Sequence, residues 1–257
     1  MDVNFDEFYQ WVKDNLGIEL AAYKEKQLQR RILSVMRNSG AKTLLDYTTM
    51  ISHQPQIKSE FLDYITINVT EFFRNPDLFR EFENQLVEQL SPQFGRLKIW
   101  SAACSVGAEP YSLAILVDKR QIKLKERILA TDIDHPILGK AKAGIYKESE
   151  LKNVSAADRL AYFKVKEDVY HLAPQIKQNV LFKQHDLLQS PFDSEFHAII
   201  CRNVTIYFKN DARDNLYRKF HDALVPGGLF FTGATETINN PESIGFKKIS
   251  TFIYQKQ

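Results

Sequence analysis

The chain has 257 residues, of which 44% are hydrophobic and 26% are charged, and its formal net charge is +2 at pH 7. This composition is typical of a globular protein with a full core and excludes a largely disordered chain, and the small charge gives no sign of bulk nucleic-acid binding. The two cysteines are too few for a disulfide framework, and no Cys or His pair has zinc-ligand spacing, so no metal site is predicted.

The amino-terminal part of the chain is predicted to be helical. Its first segment, MDVNFDEFYQWVKDN, is acidic and lacks an apolar core of signal-peptide length. No apolar run elsewhere approaches the roughly 18 residues that span a bilayer. We therefore expect a cytoplasmic protein without direct membrane insertion. Over about the first 70 residues, apolar residues recur at spacings of three and four, which predicts a small all-α domain without strands.

Within this domain, the segment YKEKQLQRRILSVMRNSG is predicted to form an amphipathic helix. At about 100° per residue, one face carries apolar side chains that should pack inward. They are Leu28, Ile32, Val35 and Met36. Another face carries three cations, here called the basic stripe: Lys26, Arg30 and Arg37. The stripe is either an ordinary solvated helix face or a docking surface that steers an acidic partner.

From Leu97 onward the pattern changes to α/β. Short apolar runs (LKIWS, RILAT, VLFKQ, HAIIC, GLFFTGA) alternate with helical segments such as PYSLAILVDK and ARDNLYRKFHDAL. This alternation predicts βαβ units and a parallel sheet covered on both faces. Residues 162–182 alternate more like exposed antiparallel strands, so we expect a small inserted β subdomain at about 147–182. The predicted domains are thus a helical domain with linker at 1–73 and an α/β domain at 74–257.

The turn after the first strand, in KIWSAACSVGAEPYSLAILV, contains one glycine where nucleotide-binding folds usually have several. Ala103 and Ser105 are small enough for a ligand to approach the backbone, and Gly107 permits the turn into the helix. A dinucleotide pyrophosphate favours GxGxxG and an anion-binding helix start, but Glu109 places a carboxylate there. This carboxylate would tolerate a sulfonium ligand such as S-adenosylmethionine (SAM), although it is also ordinary helix-dipole chemistry.

Polar residues follow two further predicted strands. Asp132 ends the second strand, where an acidic side chain can bind ribose hydroxyls. Asp134 is a rival for that role, but its ordinary function would be to cap the helix begun by Pro136. Arg202 and Asn203 follow the run HAIIC and should face the crevice at the carboxyl edge of the sheet, with turn formation as the alternative for Asn203.

Six segments together resemble the chemotaxis receptor methyltransferases, the CheR family. They are ITINVTEFFRNPDLF, WSAACSVGAEPYSLAI, ATDID, AGIYKESEL, HDLL and CRNVTIYF. The resemblance implies a Rossmann-like SAM-dependent methyltransferase domain with a small inserted antiparallel β subdomain, preceded by a small all-α amino-terminal domain. It also implies methyl transfer from SAM to glutamate side chains on the cytoplasmic helices of membrane chemoreceptors, with S-adenosyl-L-homocysteine as the product.

Matched residue by residue, the resemblance implies a set of cofactor contacts. They are Asn68, Thr70, Arg74, Glu109, Asp132, Asp186, Leu187, Arg202 and Asn203. The chain departs from the family at two of the matched motifs. Ala108 stands where the family usually has a glutamate, although the matched contact is Glu109. Asp186 stands where some members have asparagine, which bears on adenine recognition.

The proposed chemistry requires little from the protein's own titratable groups. A glutamate with an ordinary pKa near 4.3 is already ionised at neutral pH, so its methylation needs no general base and depends on alignment. We expect Arg74 and Tyr207 to orient the acceptor carboxylate by hydrogen bonds. The alternatives are a surface ion pair of Arg74 with Glu71 or Asp77, and a core position for Tyr207.

Other functions fit the sequence less well. A nucleic-acid amino methyltransferase would carry an Asn/Asp-Pro-Pro-aromatic motif where this chain has CRNVTIYF, so no nucleic-acid partner is expected. A nicotinamide dehydrogenase would carry GxGxxG. A small-molecule methyltransferase stays open, because function depends on the site more than on the fold. A SAM-binding receptor-interaction or sensory module without turnover also stays open.

The inserted subdomain bears on receptor binding. In some family members it binds a peptide tether at the receptor's carboxyl terminus by strand addition, beside a glycine-rich loop. The corresponding stretch here, YFKVKEDVYHL, contains no glycine. We therefore expect no dependence on a carboxyl-terminal tether peptide.

Overall fold

The computed structural model describes residues 4–66 and 70–257. The chain divides into two compact units: the first comprises Met1–Asn68 and Tyr207–Asp214, and the second comprises Val69–Ile206 and Asn215–Gln257. The described helices of the amino-terminal part are α1 (Phe5–Leu16), α2 (Glu25–Asn38), α3 (Leu44–His53) and α4 (Pro55–Thr66). Residues 4–66 contain no strand, which confirms the predicted all-α domain.

Helix α2 shows how the sequence pattern determines packing in the first unit. Its buried residues are Leu28, Ile32, Val35 and Met36, the four that the helical period places on one face. The three cations of the basic stripe are exposed. Arg37 lies along its own helix, because its Nε donates to the Leu33 carbonyl at 3.0 Å. The stripe is therefore a solvent-facing surface of the first unit.

A short segment from late in the chain completes the first unit. The backbone N–H of Lys24 donates to the Tyr207 carbonyl at 2.8 Å, and that of Lys209 donates to the Ala22 carbonyl at 2.8 Å. Between these bonds, the rings of Tyr23 and Phe208 pack edge to face with centroids 5.0 Å apart. Residues 207–214 thus belong to the packing of the amino-terminal helices.

The second unit is built around a seven-stranded sheet. The strands of this unit are β1 (Ile99–Ala102), β2 (Ile128–Asp132), β3 (Ile145–Tyr146), β4 (Phe163–Lys166), β5 (Val169–Leu172), β6 (Val180–Gln184), β7 (Phe196–Cys201), β8 (Leu224–Thr232), β9 (Phe246–Lys248) and β10 (Ile253–Lys256). The large sheet has the order β6-β2-β1-β7-β8-β10-β9. Strands β6, β2, β1, β7 and β8 are parallel, and β10 is antiparallel to both of its neighbours. The predicted parallel sheet is confirmed.

The second unit also contains seven α-helices within the part of the chain that the structure describes. They are α5 (Pro76–Gln85), α6 (Ser91–Phe94), α7 (Ala108–Lys119), α8 (His135–Ala143), α9 (Ala156–Tyr162), α10 (Pro174–Lys177) and α11 (Asn210–Ala223), which begins in the first unit's segment. Ile99 and Ile200 pack in one core with α7, whereas Trp100 packs against Phe196 and Phe220. Because neighbouring strand residues point to opposite faces, both faces of the sheet are buried.

The inserted sheet is smaller and differs from its predicted range. It has the order β3-β5-β4, with antiparallel pairing throughout. It begins at Ile145, before residue 147, and ends at Leu172, because the run VLFKQ forms strand β6 of the large sheet. Helix α10 lies between β5 of the inserted sheet and β6 of the large sheet, and its Pro174 cannot continue a strand ladder. In the described part of the chain, no helix is both long and apolar enough to cross a membrane.

The junction between the helical and α/β parts also differs from the predicted boundary at 73/74. The N–H of Phe72 donates to the Glu150 carbonyl at 3.1 Å, and the N–H of Phe73 donates to Ser112 Oγ at 2.9 Å. Phe72 is fully buried in the core of the second unit. Residues 70–73 are therefore part of the α/β unit rather than a linker to it.

Candidate functional site

The turn after β1 takes a left-handed path with only one glycine. Ala103, Ser105 and Gly107 all have positive φ, at 59°, 50° and 85°. A Cβ on Gly107 would lie 3.0 Å from Ala141 Cβ and 3.2 Å from the Phe182 ring, so this position also requires the absence of a side chain. Left-handed alanine and serine cost energy and persist only where the surrounding structure fixes them, which is typical of ligand sites.

Glu109 lies in the first turn of α7, where a phosphate-binding fold would receive its anion. Its carboxylate accepts from Ser101 Oγ at 2.8 Å and lies 3.7 Å from Arg202 Nη1. Burial raises the pKa of Glu109, while the charge of Arg202 and the Ser101 bond oppose that rise. A buried acid at this helix start disfavours phosphate and suits a cationic ligand.

Arg202 connects this acid to the segment before α5. Its side chain is 2% exposed, and its Nη2 donates to the Arg74 carbonyl and to Asn75 Oδ1, each at 2.9 Å. The guanidinium lies 4.7 Å from the centroid of the Phe231 ring. Within residues 4–66 and 70–257, its buried Nε has no hydrogen-bond partner. Arg202 therefore fixes the backbone at residues 74–75 and the position of Glu109 together.

The side chain of Arg74 is half-buried and acts electrostatically on the same cluster. Its charge contributes to lowering the pKa of both Glu109 and Arg202, after larger effects. The two partners weighed for it from the sequence are engaged elsewhere, since Glu71 pairs with Lys152 at 2.5 Å and Asp77 with Arg80 at 3.3 Å. Both carboxylates therefore have a cation other than Arg74 beside them.

Two more predicted cofactor contacts precede Arg74 in the chain. Thr70 is half-buried at the start of the described segment that leads to α5. Asn68 lies outside the described residues. The segment itself is conformationally strained, because Phe73 and Asn75 have φ values of 48° and 56°.

The Asp132 carboxylate connects the turn after β1 to the turn after β2 by hydrogen bonds. Its Oδ2 accepts from the Ser105 N–H at 2.8 Å and its Oδ1 from the Asp134 N–H at 3.0 Å. The residue is 7% exposed, and burial raises its pKa to about 6. Asp134 caps α8 by accepting from the Ile137 N–H at 3.2 Å, which confirms the capping role inferred from the sequence. Asp132 is therefore the better candidate for the ribose hydroxyls.

Asp186 and Leu187 follow β6 at the same edge of the sheet. Asp186 Oδ1 accepts from the Leu188 and Gln189 N–H groups at 2.7 and 3.3 Å, so the carboxylate organises its own turn. Leu187 is 7% exposed. Lys219 Nζ donates to the carbonyls of Leu187 and Leu188 at 2.8 and 3.4 Å and so fixes this turn from α11.

Asn203 follows β7 in a left-handed conformation, with φ at 62°. Its Oδ1 is buried and has no hydrogen-bond partner in the described part of the chain. The N–H groups of residues 203–206 all donate to the carboxylate of Glu236. The turn alternative and the ligand alternative for Asn203 are thus both compatible with its geometry, since the backbone turns and the amide oxygen is unpaired.

Sequence reasoning missed Lys219 and Glu236. Both act by bonding the backbone of loops far away in the chain, and side-chain periodicity carries no signal for such bonds. Glu236 had one usable signal, because it follows the carboxyl end of β8 at the edge where the other site residues lie. Lys219 had none, since it lies in a helix rich in charged residues.

Tyr207 and the basic stripe belong to the first unit, whereas the described cofactor candidates belong to the second. Tyr207 is half-buried, and the neighbouring Phe208 is 3% exposed. The core position therefore belongs to Phe208 rather than to Tyr207. Tyr207 lines a pocket of the first unit, together with Tyr23, Lys24, Gln27, Leu28, Arg31 and Ile65.

The thiols near the site are poor nucleophiles. Cys104 and Cys201 are both fully buried and unoxidised. Burial raises the pKa of each thiol well above its usual range, and the charges of nearby acids add to the effect. Residues 4–66 and 70–257 contain no group of three or more His, Cys, Asp or Glu side chains that could hold a metal ion.

The described side chains fit SAM. Asp132 offers a carboxylate for ribose hydroxyls, Glu109 offers a buried negative charge near the helix start, and Asn203 offers a buried, unpaired amide oxygen. These are acceptors and anions, the groups that a cationic nucleoside with hydroxyl and amino donors would need. The carboxylates of Asp132 and Glu109 would repel a ligand rich in phosphate.

Comparison with known proteins gives consistent matches along the chain. Residues 4–66 match the model of the CheR methyltransferase all-alpha domain, and residues 68–254 match that of the CheR methyltransferase SAM binding domain. The chemotaxis protein methyltransferase of Listeria monocytogenes is 37% identical over 250 residues, covering 97% of this chain and 95% of the relative. Chemotaxis protein methyltransferase 1 of Pseudomonas aeruginosa is 32% identical over 251 residues, covering 93% and 92%. The chemotaxis protein methyltransferase of Borreliella burgdorferi is 29% identical over 269 residues, covering 98% and 95%.

Proposed function

The chain belongs to the CheR methyltransferase family, and from that premise we propose that it transfers a methyl group from SAM to glutamate side-chain carboxylates of chemoreceptors. SAM is its cofactor, and SAM-dependent methylation in chemotaxis is its activity. The proposed part is the acceptor: a glutamyl carboxylate on a cytoplasmic receptor helix, converted to a methyl ester. The cytoplasm is accordingly the compartment in which we expect the enzyme to work.

The observation that supports this acceptor is the state of the site's own titratable groups. Asp132 accepts two backbone N–H bonds, Glu109 is paired with Arg202, and burial keeps Cys104 protonated. The contacts of the two carboxylates are thus made with groups of the protein itself, and the thiol is buried. A carboxylate acceptor needs no proton removed, because it is ionised at neutral pH.

The roles of the residues follow from this chemistry. Bound SAM supplies an electrophilic methyl group on a sulfonium. Asp132 holds the ribose hydroxyls, and the turn at Asp186 and Leu187 holds the adenine. Arg74 and Tyr207 orient the acceptor carboxylate, so that the rate gain comes from alignment of the two reactants. Arg202 keeps Glu109 and the backbone of Arg74 in place.

One experiment tests the acceptor directly. The protein is incubated with methyl-labelled SAM and receptor-bearing membranes, and the labelled product is treated with base. A glutamyl methyl ester releases volatile labelled methanol. Label that stays on the receptor after base treatment would show N-methylation and would refute the glutamate proposal.

Replacement of Tyr207 by phenylalanine should separate chemistry from cofactor binding. Loss of the hydroxyl removes a hydrogen bond to the acceptor carboxylate, so kcat should fall about tenfold or more while the Kd for SAM stays unchanged. Tyr170, which is also half-buried, provides a matched control as Tyr170→Phe. Equal losses of kcat and SAM affinity in the Tyr207 variant would contradict the proposed role.

The basic stripe is proposed to steer the acidic receptor helix. Its exposure permits this role, and the expected effect is on association more than on final affinity. The triple reversal Lys26→Glu, Arg30→Glu and Arg37→Glu should raise the KM for receptor, most strongly at low salt, with kcat and SAM binding unchanged. The matched control reverses three other exposed lysines: Lys123, Lys247 and Lys248. If both triple variants have the same KM for receptor, the stripe is an ordinary solvated helix face with no docking role.

The hairpin of the inserted sheet supports the prediction that no receptor tether is needed. Its turn is made by Glu167 and Asp168, with φ values of 51° and 61°, and contains no glycine. A tether that docked there would raise the effective receptor concentration, and its removal would cost about 100-fold or more in avidity. Receptors trimmed of their carboxyl-terminal tails should therefore be methylated at nearly the intact rate, and a large fall would contradict us.

A further inference from the structure

The carboxylate of Glu236 is the centre of a buried hydrogen-bond cluster after β7. Glu236 is 3% exposed, and its Oε1 accepts from the N–H groups of Val204, Thr205 and Ile206 at 3.0, 2.7 and 3.3 Å. Its Oε2 accepts from the Asn203 N–H. Four consecutive backbone donors thus point at one carboxylate.

Neighbouring groups complete this cluster. Thr205 Oγ1 donates to Oε1 at 2.8 Å and lies 3.0 Å from the Tyr217 hydroxyl. The Gly233 N–H donates to Oε2 at 2.9 Å. A Cβ on Gly233 would collide with the carboxylate and lie 2.8 Å from the Asn203 nitrogen. The absence of a side chain at Gly233 is therefore what admits the carboxylate to its position.

Successive N–H groups that converge in this way form a concave anion-binding surface. Hydrogen bonds to an ionised acceptor are about twice as strong as neutral ones, whereas buried N–H groups without an acceptor are costly. The left-handed Asn203 adds a conformation that persists only when its surroundings fix it. The loop 203–206 therefore depends on the charge of Glu236 for its conformation.

We propose that Glu236 is a positioning residue for methyl transfer: it fixes the loop 203–206 and through it the Asn203 side chain and the backbone that leads into Tyr207. This inference rests on the proposed function, which assigns Asn203 to the cofactor and Tyr207 to the acceptor. Glu236 itself acts through the loop and is not assigned a contact with either reactant. Its six accepted bonds all come from the chain's own backbone and one hydroxyl.

The test uses Glu236→Gln, which keeps the size of the side chain and removes its charge. Its NH₂ group cannot accept the bonds that one carboxylate oxygen now receives. We expect hydrogen exchange of the amides at 203–206 to become about tenfold faster or more, as for loss of a hydrogen bond. The Kd for SAM should rise at most about tenfold, and kcat should fall about 100-fold, the effect of a misplacement near 1 Å.

A matched control is Asp158→Asn, another buried carboxylate of the second unit, which pairs with Lys119 at 2.9 Å. This control should leave exchange at 203–206, SAM affinity and kcat unchanged. If Glu236→Gln does not fold, Gly233→Ala displaces the carboxylate without removing its charge and should give the same three effects. Unchanged exchange at 203–206, or a kcat and SAM affinity both within about twofold of the parent, would overturn the proposal.

The role of Glu236 can be tested even if the proposed glutamate acceptor is wrong. If the parent protein fails to label receptor glutamates, the proposed acceptor is wrong. Amide exchange and SAM calorimetry on the Glu236 and Gly233 variants then still decide whether the carboxylate positions Asn203. In that case, where kcat for receptor cannot be measured, faster exchange with a raised Kd for SAM would support positioning of Asn203, and faster exchange with an unchanged Kd would overturn it.

Discussion

Replacement of Arg202 by methionine is expected to lower the free energy of unfolding by about 3 kcal/mol, because it leaves the Glu109 carboxylate buried without its cation. The side chains of Arg202 and Glu109 are 2% and 12% exposed, so water does not replace the lost partner. The variant also loses the bonds to the Arg74 carbonyl and to Asn75. Methyl transfer should also fall, because Arg202 no longer holds the Glu109 carboxylate or the backbone of Arg74 in position.

The pH dependence of this loss has a defined sign. Burial already raises the pKa of Glu109, and removal of Arg202 raises it further. The folded-state pKa then lies well above the unfolded value, so the destabilisation is largest at high pH and shrinks as the pH falls through the folded-state pKa and the carboxyl becomes neutral. Denaturant unfolding of Arg202→Met at several pH values measures this trend.

Two further variants define the cause of this loss. In the double variant Arg202→Met with Glu109→Gln no buried charge is left unpaired, and it should recover part of the stability lost by the single variant. Lys119→Met, which breaks the pair of Asp158 with a side chain 44% exposed, should cost about 1 kcal/mol or less. Similar losses in Arg202→Met and Lys119→Met would show that Glu109 does not depend on Arg202.

Replacement of Asp132 by alanine is expected to weaken SAM binding by about 1 to 3 kcal/mol, the range for hydrogen bonds to a charged group. Ribose hydroxyls would donate to the ionised form, and burial raises the pKa of Asp132 to about 6. SAM affinity should therefore rise as the pH increases through about 6, and binding below that pH should release protons. Titration calorimetry in two buffers of different ionisation enthalpy measures both effects.

The control for this prediction is Asp134→Ala, which removes the cap of α8. It should cost about 1 kcal/mol of stability, as for other caps, and leave SAM affinity unchanged. If instead Asp134→Ala weakens SAM binding and Asp132→Ala leaves it unchanged, the ribose contact belongs to Asp134. An affinity for SAM that is independent of pH between 5 and 8 would contradict ionisation of Asp132 as the binding requirement.

Features that depend on local periodicity were predictable. The buried face of α2 follows from a 3.6-residue period, and the parallel strands β1, β2 and β7 follow from short apolar runs bounded by helices. The turn at Gly107 was predictable because glycine permits a sharp turn from strand to helix, and its φ of 85° agrees with that expectation. The carboxyl-edge positions of Asp132 and Arg202 followed from the rule that parallel strands end at one edge.

Features that depend on distant pairing were not predictable. Strands β9 and β10 are short and partly polar, and β10 becomes a strand by antiparallel pairing with β8. The boundary of the inserted sheet was misplaced because β6 pairs with β2, and the alternation of residues 162–182 does not show that pairing. Glu236 and Lys219 bond loop backbones, and a sequence pattern does not show which backbone groups lack partners.

The packing of Phe208 against Tyr23 has a consequence for folding during synthesis. The amino-terminal helices emerge from the ribosome first, but the ring partner of Tyr23 and the backbone partners of Ala22 and Lys24 are made only much later. A nascent chain that stops before residue 207 therefore leaves this part of the first unit incomplete. Long-range contacts of this kind slow folding and expose apolar surface to other chains. We expect the helical domain expressed alone to be less stable than the same helices within the whole chain.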